Sequence, residues 1–440
     1  MATPAANTST GPRWSSRFGF LMAAVGAAVG LGNLWRFPFQ TGQNGGSAFV
    51  IIYLLCVVLI AYPILMGEIA IGRRKRLSAV GSMRALAKEA GHSQLWGVGG
   101  LIAIVASYTV LSTYSVISGQ IIAYSVMSFT GEFSTAEPSA ARSLYAGPLQ
   151  AVLWHTLFIG LTMFIVAKGL REGIERLVTV LMPAFFLLLA GLSIYALTTG
   201  AAGEAIAYLF TPRLGQLTPD TVLAAMGQAF YSIAVGTAGM VTYGAYLDKK
   251  ENIASSSALI AGADTLVAIV AGLMIFPVVF AFSLDPSAGM GLIFDALPAV
   301  FSTMPAGAMI GGCFFLLAFI AALTSSIIML LVTVVFLEEL FGLKRLPTVL
   351  IFGGLAWGIG AASVTIEGMA EIIDFAAGSI FLPVAGLFSA ILAGWIAPRE
   401  VMRDELHRSS EGVFRFWRFM IRYVAPIAVG LVLIFGLMPH

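Results

Sequence analysis

Apolar residues come in long blocks along this chain rather than alternating with polar ones. Runs near residues 18–42, 47–72, 95–128, 149–167, 174–199, 222–247, 254–283, 306–340, 346–364, 370–396 and 416–437 can be read off the sequence. Each is about 20 residues or longer, the length a helix needs to cross the hydrocarbon core of a bilayer. The pattern therefore predicts an all-α polytopic membrane protein with eleven spans. Charged residues gather in the intervals between the runs, and their sign alternates in density. Of the 24 lysines and arginines, only Arg36, Arg142 and Arg213 fall on the side opposite the N-terminus. Positive charge accumulates on the cytoplasmic side of membrane proteins. The polar segment 1–12 and the connector 397–415 are thus expected in the cytoplasm. An odd number of spans then puts His440 outside.

Two runs carry glycine where a straight helix would not need it. The first reads RFGFLMAAVGAAVGLGNLWRFPFQ, with Gly26, Gly30 and Gly32 followed by Asn33. The sixth reads GQAFYSIAVGTAGMVTYGAY, with Gly236 and Gly239 at its middle. Packing alone could account for Gly26 and Gly30, which form a GxxxG pair. Their position favours a broken helix instead. Spans one and six are the first of two five-span halves, and matched interrupted spans point to two inverted repeats. The expected organisation is a first repeat over 13–199, a second over 200–396, and a connector with an eleventh helix over 397–440.

Composition excludes other classes. Hydrophobic residues make up 59% of the chain and charged residues 10%, with a mean hydropathy of +0.93. Soluble domains carry about 25% charged residues, so a cytosolic enzyme, a nucleic-acid binder and a disordered chain are ruled out. Cys56 and Cys313 lie in apolar runs and read as small buried hydrophobes. His92, His155, His407 and His440 are scattered, and neither an HExxH nor a phosphate-binding glycine loop with its lysine is present. The protein is not expected to be an enzyme. The basic run Arg73–Arg76 reads as an ordinary cytoplasmic loop.

Polar groups inside the apolar runs need a reason, because burying them in hydrocarbon is costly. Asp264 sits deep in span seven and is the strongest functional candidate. Asp374, near the outer end of span ten, is a natural partner for Arg36 and could close an outer gate with it. Glu68, close to the basic loop after span two, reads as an interfacial helix-end charge. Thr324 and Ser325 lie mid-span in span eight. Their hydroxyls can bond back to their own helix or ligate a hard cation beside free carbonyls.

The segments GAAVGLGNLWRFP (26–38) and NGGSAFVIIY (44–53) closely resemble the first-helix signature of the neurotransmitter:sodium symporter family. The resemblance continues through the sixth span, ADTLVAIVAG of span seven, LTSS of span eight and Asp374-Phe375 of span ten. It implies a bacterial eleven-helix member similar to leucine, tryptophan and tyrosine symporters. Such proteins import a small carboxylate solute, most often an amino acid, with Na+ by alternating access. Laid on this chain, the family pattern gives a first sodium site from the Ala28 carbonyl, Asn33, Ser232 and Asp264. A second comes from carbonyls of Gly26, Val29 and Ala321 with the hydroxyls of Thr324 and Ser325. Substrate would lie among Ala28, Leu31, Gly32, Val110, Tyr114, Tyr231, Ser232, Ala234, Thr237, Ser325 and Met329. Its carboxylate would meet the Leu31 and Gly32 amides and the Tyr114 hydroxyl. Arg36, Asp374 and Gln228 resemble the outer gate. Arg13, Trp14, Tyr246 and Glu339 resemble the inner one, with Arg13 opposite Glu339.

Departures from the family pattern carry further expectations. Chloride-dependent members have a neutral Asn and a Ser where this chain has Asp264 and Ala268. Tyr53, Gln228 and Ser232 match the remaining chloride positions. A fixed carboxylate would make chloride unnecessary. Gly30 stands where monoamine carriers have an Asp, which disfavours monoamines. Ala234 and Ala27 lack polar groups found in relatives, and Thr237 replaces a bulky side chain. A carboxylate with a different amine, or none, therefore competes with the α-amino acid. A non-transporting membrane sensor with the same sites is the alternative from another class.

Overall fold

A computed structural model describes residues 13–135, 147–287 and 291–437, and among them there are helices and turns but no strand. Segment 1–12, Arg142 and His440 lie outside the described residues. Among the described residues, nine helices are long and apolar enough to cross a membrane: Ser47–Lys75, Gln94–Thr130, Pro148–Ala167, Leu170–Leu197, Ile253–Ala281, Gly307–Phe341, Arg345–Thr365, Met369–Ile396 and Glu411–Gly436. Arg17–Ala28 and Gly32–Gln43 form a tenth crossing, bent by 50°. Pro219–Ser232 and Gly239–Ala245 are too short singly and together make the sixth of eleven spans. Five spans precede it, so it enters from the side opposite to span one, and the two five-helix repeats are inverted. The two breaks meet near the middle of the bundle. Span eight runs through the protein interior, with 83% of its apolar window buried, whereas span eleven lies at the edge with 22%.

Both breaks are held by side chains. In span one, Val29 turns extended (φ −69°, ψ 112°), and the Gly30 amide donates to Asn33 Oδ1 at 3.0 Å. The Gly26 carbonyl thereby loses the donor that a continuous helix would supply. Close approach explains Gly30 itself: a Cβ there would sit 2.9 Å from Ser325 Oγ. In span six the chain enters the left-handed region at Ala234 (φ 53°), Gly236 (φ 80°) and Ala238 (φ 60°). For the two alanines this costs roughly 1–2 kcal/mol each. Neighbouring spans impose the conformation. The Gly236 amide donates to Glu68 Oε1 at 2.9 Å, and Ser107 Oγ donates to the Thr237 carbonyl at 2.5 Å.

Glu68 is therefore not the interfacial charge that its place in the sequence suggested. It is fully buried and accepts from Ser389 Oγ (3.0 Å) as well as from Gly236. Gly72 lets span six approach and Gly67 lets span ten approach, and the broken backbone supplies an unpaired amide for it. The Arg73–Arg76 segment also differs from an ordinary solvated loop. Arg73 is 1% exposed, pairs with the equally buried Glu405 at 2.9 Å, and donates to the Glu251 carbonyl at 2.7 Å. Arg74 and Lys75 both pair with Glu89 at 2.6 Å. The hydrogen bond from Arg74, reinforced by Lys75, holds the Glu89 carboxyl down at about 2. Cys56 is buried and Cys313 only half-buried, and both are free thiols.

Candidate functional site

Ala28, Leu31, Gly32, Val110, Tyr114, Tyr231, Ser232, Ala234, Thr237, Ser325 and Met329, with Ala27, line one cavity of about 50 Å3 between the two breaks. Its walls come from spans one, three, six and eight. Leu31 and Gly32 stand in the first turn of the resumed helix, where backbone amides have no intrahelical acceptor and the helix presents its positive end. Tyr114 Oη is buried and has no hydrogen-bond partner among the described residues. A Cβ at Gly30 would lie 3.4 Å from it. A buried hydroxyl without a partner is costly, and this one sits beside a helix N-terminus suited to an anion.

Two oxygen-rich clusters flank the cavity. In the first, Asn33 Nδ2 donates to Asp264 Oδ1 (2.8 Å), the Asp264 carbonyl (3.0 Å) and Ser232 Oγ (3.1 Å). Ser232 Oγ donates to Asp264 Oδ2 at 2.7 Å, and the Tyr53 hydroxyl reaches Ser232 Oγ at 3.4 Å. Asp264 is fully buried and has no basic side chain within ion-pair distance among the described residues. In the second cluster, Ser325 Oγ lies 3.5 Å from the Gly26 carbonyl, 3.3 Å from that of Val29 and 3.1 Å from that of Ala321. One hydroxyl proton cannot serve three carbonyls. Oxygens gathered this way, with little nitrogen or sulfur among them, suit a hard cation. Thr324 Oγ1 donates to the Ile320 or Ala321 carbonyl, each at 3.1 Å, and so keeps its helical back-bond here.

On the charge-poor side a vestibule of about 760 Å3 opens above the cavity. The expected Arg36–Asp374 ion pair is not formed across it. The Arg36 guanidinium lies 4.3 Å from the centre of the Tyr231 ring, and Asp374 Oδ1 accepts from Thr113 Oγ1 at 2.7 Å. Gln228 Nε2 donates to the Gly32 carbonyl at 3.1 Å, while its Oε1 is unpartnered. The two halves of the proposed gate are thus each tied to their own side of an open mouth.

The basic side is closed by different contacts from those the sequence suggested. Arg13 approaches Asp248 (3.8 Å), not Glu339. The Lys250 amide, with help from Arg13, holds the Asp248 carboxyl below its usual range. Glu339 instead accepts from the Ser78 amide and hydroxyl at 2.5 and 3.1 Å, capping helix Ala79–Glu89. The adjacency of Arg13 and Trp14 explains the difference, because Trp14 takes the interior position. Its Nε1 donates to the Tyr243 carbonyl (3.2 Å), its amide to the Tyr246 carbonyl (3.5 Å), and its ring packs edge-on against Tyr243. Ser15 binds the buried Glu175 through its amide (3.0 Å) and its hydroxyl (2.6 Å).

Sequence reasoning missed Ser107, Thr113, Glu175 and the bracing role of Glu68. Glu68 could have been found, because it has apolar residues on both sides. The hydroxyl residues carried no comparable signal.

The profile of the "Sodium:neurotransmitter symporter family" matches residues 11–143 and 141–440. An uncharacterized sodium-dependent transporter of Bacillus subtilis is 36% identical over 95% of this chain and 96% of its own length. One from Haemophilus influenzae is 30% identical over 96% and 98%. The crystal structure of MhsT in complex with L-phenylalanine superposes with a TM-score of 0.89 at 37% identity, covering 97% of this chain and all of that one.

Proposed function

The chain belongs to the sodium:neurotransmitter symporter family, and from that premise we propose that it imports a small amino acid with sodium, without chloride. The observation that carries the reading is the buried Tyr114 hydroxyl, without a hydrogen-bond partner among the described residues, in the cavity that Leu31 and Gly32 also line. Together they make a carboxylate receptor at one end of a cavity with apolar walls at Val110 and Met329. Asn33, Ser232, Asp264 and the Ala28 carbonyl bind one sodium beside that carboxylate. Gly26, Val29, Ala321, Thr324 and Ser325 bind a second, Thr324 giving up its back-bond to do so. Each bound ion raises affinity for the solute, and the solute does the same for the ion. The negative charge of Asp264 takes the place of chloride.

The basic side faces the cytoplasm in this reading, so the open vestibule is outward. Closure over the solute swings Arg36 off Tyr231 and Asp374 off Thr113 to meet each other. Opening inward then requires Trp14 to leave Tyr243 and Ser15 to leave Glu175. A second reading has support from one contact. Thr237 Oγ1 donates to the Ala234 carbonyl at 2.6 Å, so its hydroxyl proton and one lone pair of that carbonyl are already engaged in the cavity. This favours an N-substituted or amine-free carboxylate.

Thermal unfolding in sodium and in choline, against amino acids, their N-methylated and deaminated counterparts and carboxyl-free amines, tests both. Ligands of the folded state raise the midpoint by mass action. A sodium-dependent shift with α-amino acids is expected. A shift confined to the other carboxylates would select the second reading, and none in sodium would refute both. Uptake into proteoliposomes separates a transporter from a sensor.

A further inference from the structure

We propose that the start of span eleven, with the end of span ten, forms a binding site for the headgroup of an anionic phospholipid on the basic side of the molecule. Several arginines of that side are already neutralised. Arg73 and Arg74 pair with glutamates and an aspartate, Arg345 with Glu338, and Arg399 and Arg403 with Glu411. Arg415, Arg418 and Arg422 have no acidic side chain within ion-pair distance among the described residues, and they follow one another along a single helix. Their spacing of three and four residues places them on one face of the helix.

The cluster is built into the fold rather than scattered on a surface. Gly394 brings span ten against span eleven, and a Cβ there would lie 3.0 Å from the Ile421 carbonyl and 3.2 Å from Arg422 Cγ. Trp395 Nε1 donates to the Arg422 carbonyl at 2.8 Å. The Arg422 guanidinium lies 4.3 Å from the centre of the Trp395 ring, and its buried Nε has no partner. Arg418 reaches only the Ala393 carbonyl, at 3.4 Å. Arg guanidinium groups recognise phosphate through paired N–H donors.

A lipid, not a free anion, fits the surroundings. Tyr423 packs against both Trp395 and Phe419, and Trp395, Phe419 and Tyr423 remain 49%, 54% and 43% exposed. Aromatic side chains of this kind mark the headgroup level of a bilayer. Directly below them Ile427, Leu431 and Ile434 are exposed along the same span, where acyl chains would lie.

Native mass spectrometry of the full chain in detergent, titrated with phosphatidylglycerol, phosphatidylcholine or inorganic phosphate, tests the site. Each interfacial arginine adds roughly a fivefold gain in affinity for anionic lipid. Arg418→Gln with Arg422→Gln should therefore weaken phosphatidylglycerol binding roughly 25-fold. Arg415→Gln with Arg418→Gln leaves the packed Arg422 stem in place and should weaken it to a similar degree. Arg84→Gln, on the same side, should leave binding unchanged. Equal retention of phosphatidylcholine, equal competition by inorganic phosphate, or unchanged binding in a folded double variant would each overturn the proposal.

Discussion

Asp264 and Tyr114 are the two side chains whose chemistry is most exposed to test. Asp264 places a carboxyl group among neutral neighbours, with Asn33 and Ser232 donating to its two oxygens. Asp264→Asn retains the shape and removes the charge. The sodium concentration for half-maximal stabilisation should rise about tenfold, as for loss of one charge-assisted contact of about 1.5 kcal/mol. Added chloride should restore part of it, and a variant indifferent to chloride would count against the charge-replacement argument. Tyr114→Phe deletes one hydroxyl in a site that is otherwise intact. Solute affinity should fall about 10- to 100-fold, while stabilisation by sodium alone stays as in the parent. Equal loss of both would mean that the hydroxyl serves the ion site instead.

At the scale of elements, the broken helices depend on positions where nothing but hydrogen fits. Gly236 combines φ 80° with a Cβ position 2.5 Å from the Leu382 carbonyl. Gly236→Ala should cost about 2 kcal/mol or more. Gly262, inside helix Ile253–Ala281 with open space around it, provides the contrast. Gly262→Ala should stabilise by up to about 1 kcal/mol. Thermal midpoints of the two variants in the same detergent check the sign of both. The eleven spans were legible in the sequence because long apolar blocks and the asymmetry of basic residues are both local signals. The breaks were legible because glycine in mid-span is rare enough to need a reason. What braces them was not. Glu68 looked interfacial because sequence distance to Arg73 is short, and only the inward run of span two shows that the carboxylate meets Gly236 and Ser389. The pairing of Arg13 was misread for a similar reason: adjacency to Trp14 says which two residues are close, but not which of them turns inward.

The whole molecule is open at one end and latched at the other. The latch is the N-terminal segment, with Trp14 on Tyr243 and Ser15 on Glu175. Glu175→Gln replaces a charged acceptor by a neutral one. The basic side should open more often, and a cysteine at Ala27, in a background without Cys56 and Cys313, should label from that side roughly fivefold faster, for a weakening of about 1 kcal/mol. Unchanged labelling would remove Glu175 from the latch. Ion pairs brace the same face. The hydrogen bond from Arg74 holds the folded Glu89 carboxyl down at about 2, against an ordinary value of 4.5. A depressed carboxylate stabilises the fold above its unfolded value and loses that contribution as pH falls through the folded one. The advantage of the parent over Glu89→Gln should thus be constant near neutrality and shrink between pH 4.5 and 2.

The vestibule has a further consequence, in osmotic terms. At about 30 Å3 per water, a space of about 760 Å3 holds on the order of 25 molecules. In the proposed cycle, bringing Arg36 to Asp374 expels most of them, so closure exchanges volume with solution. Solutes too large to enter the mouth should then favour the closed state in proportion to their osmolality. Apparent affinity for the transported compound should rise with such osmolytes and not with small ones that penetrate, and the slope of its logarithm against osmolality counts the waters released.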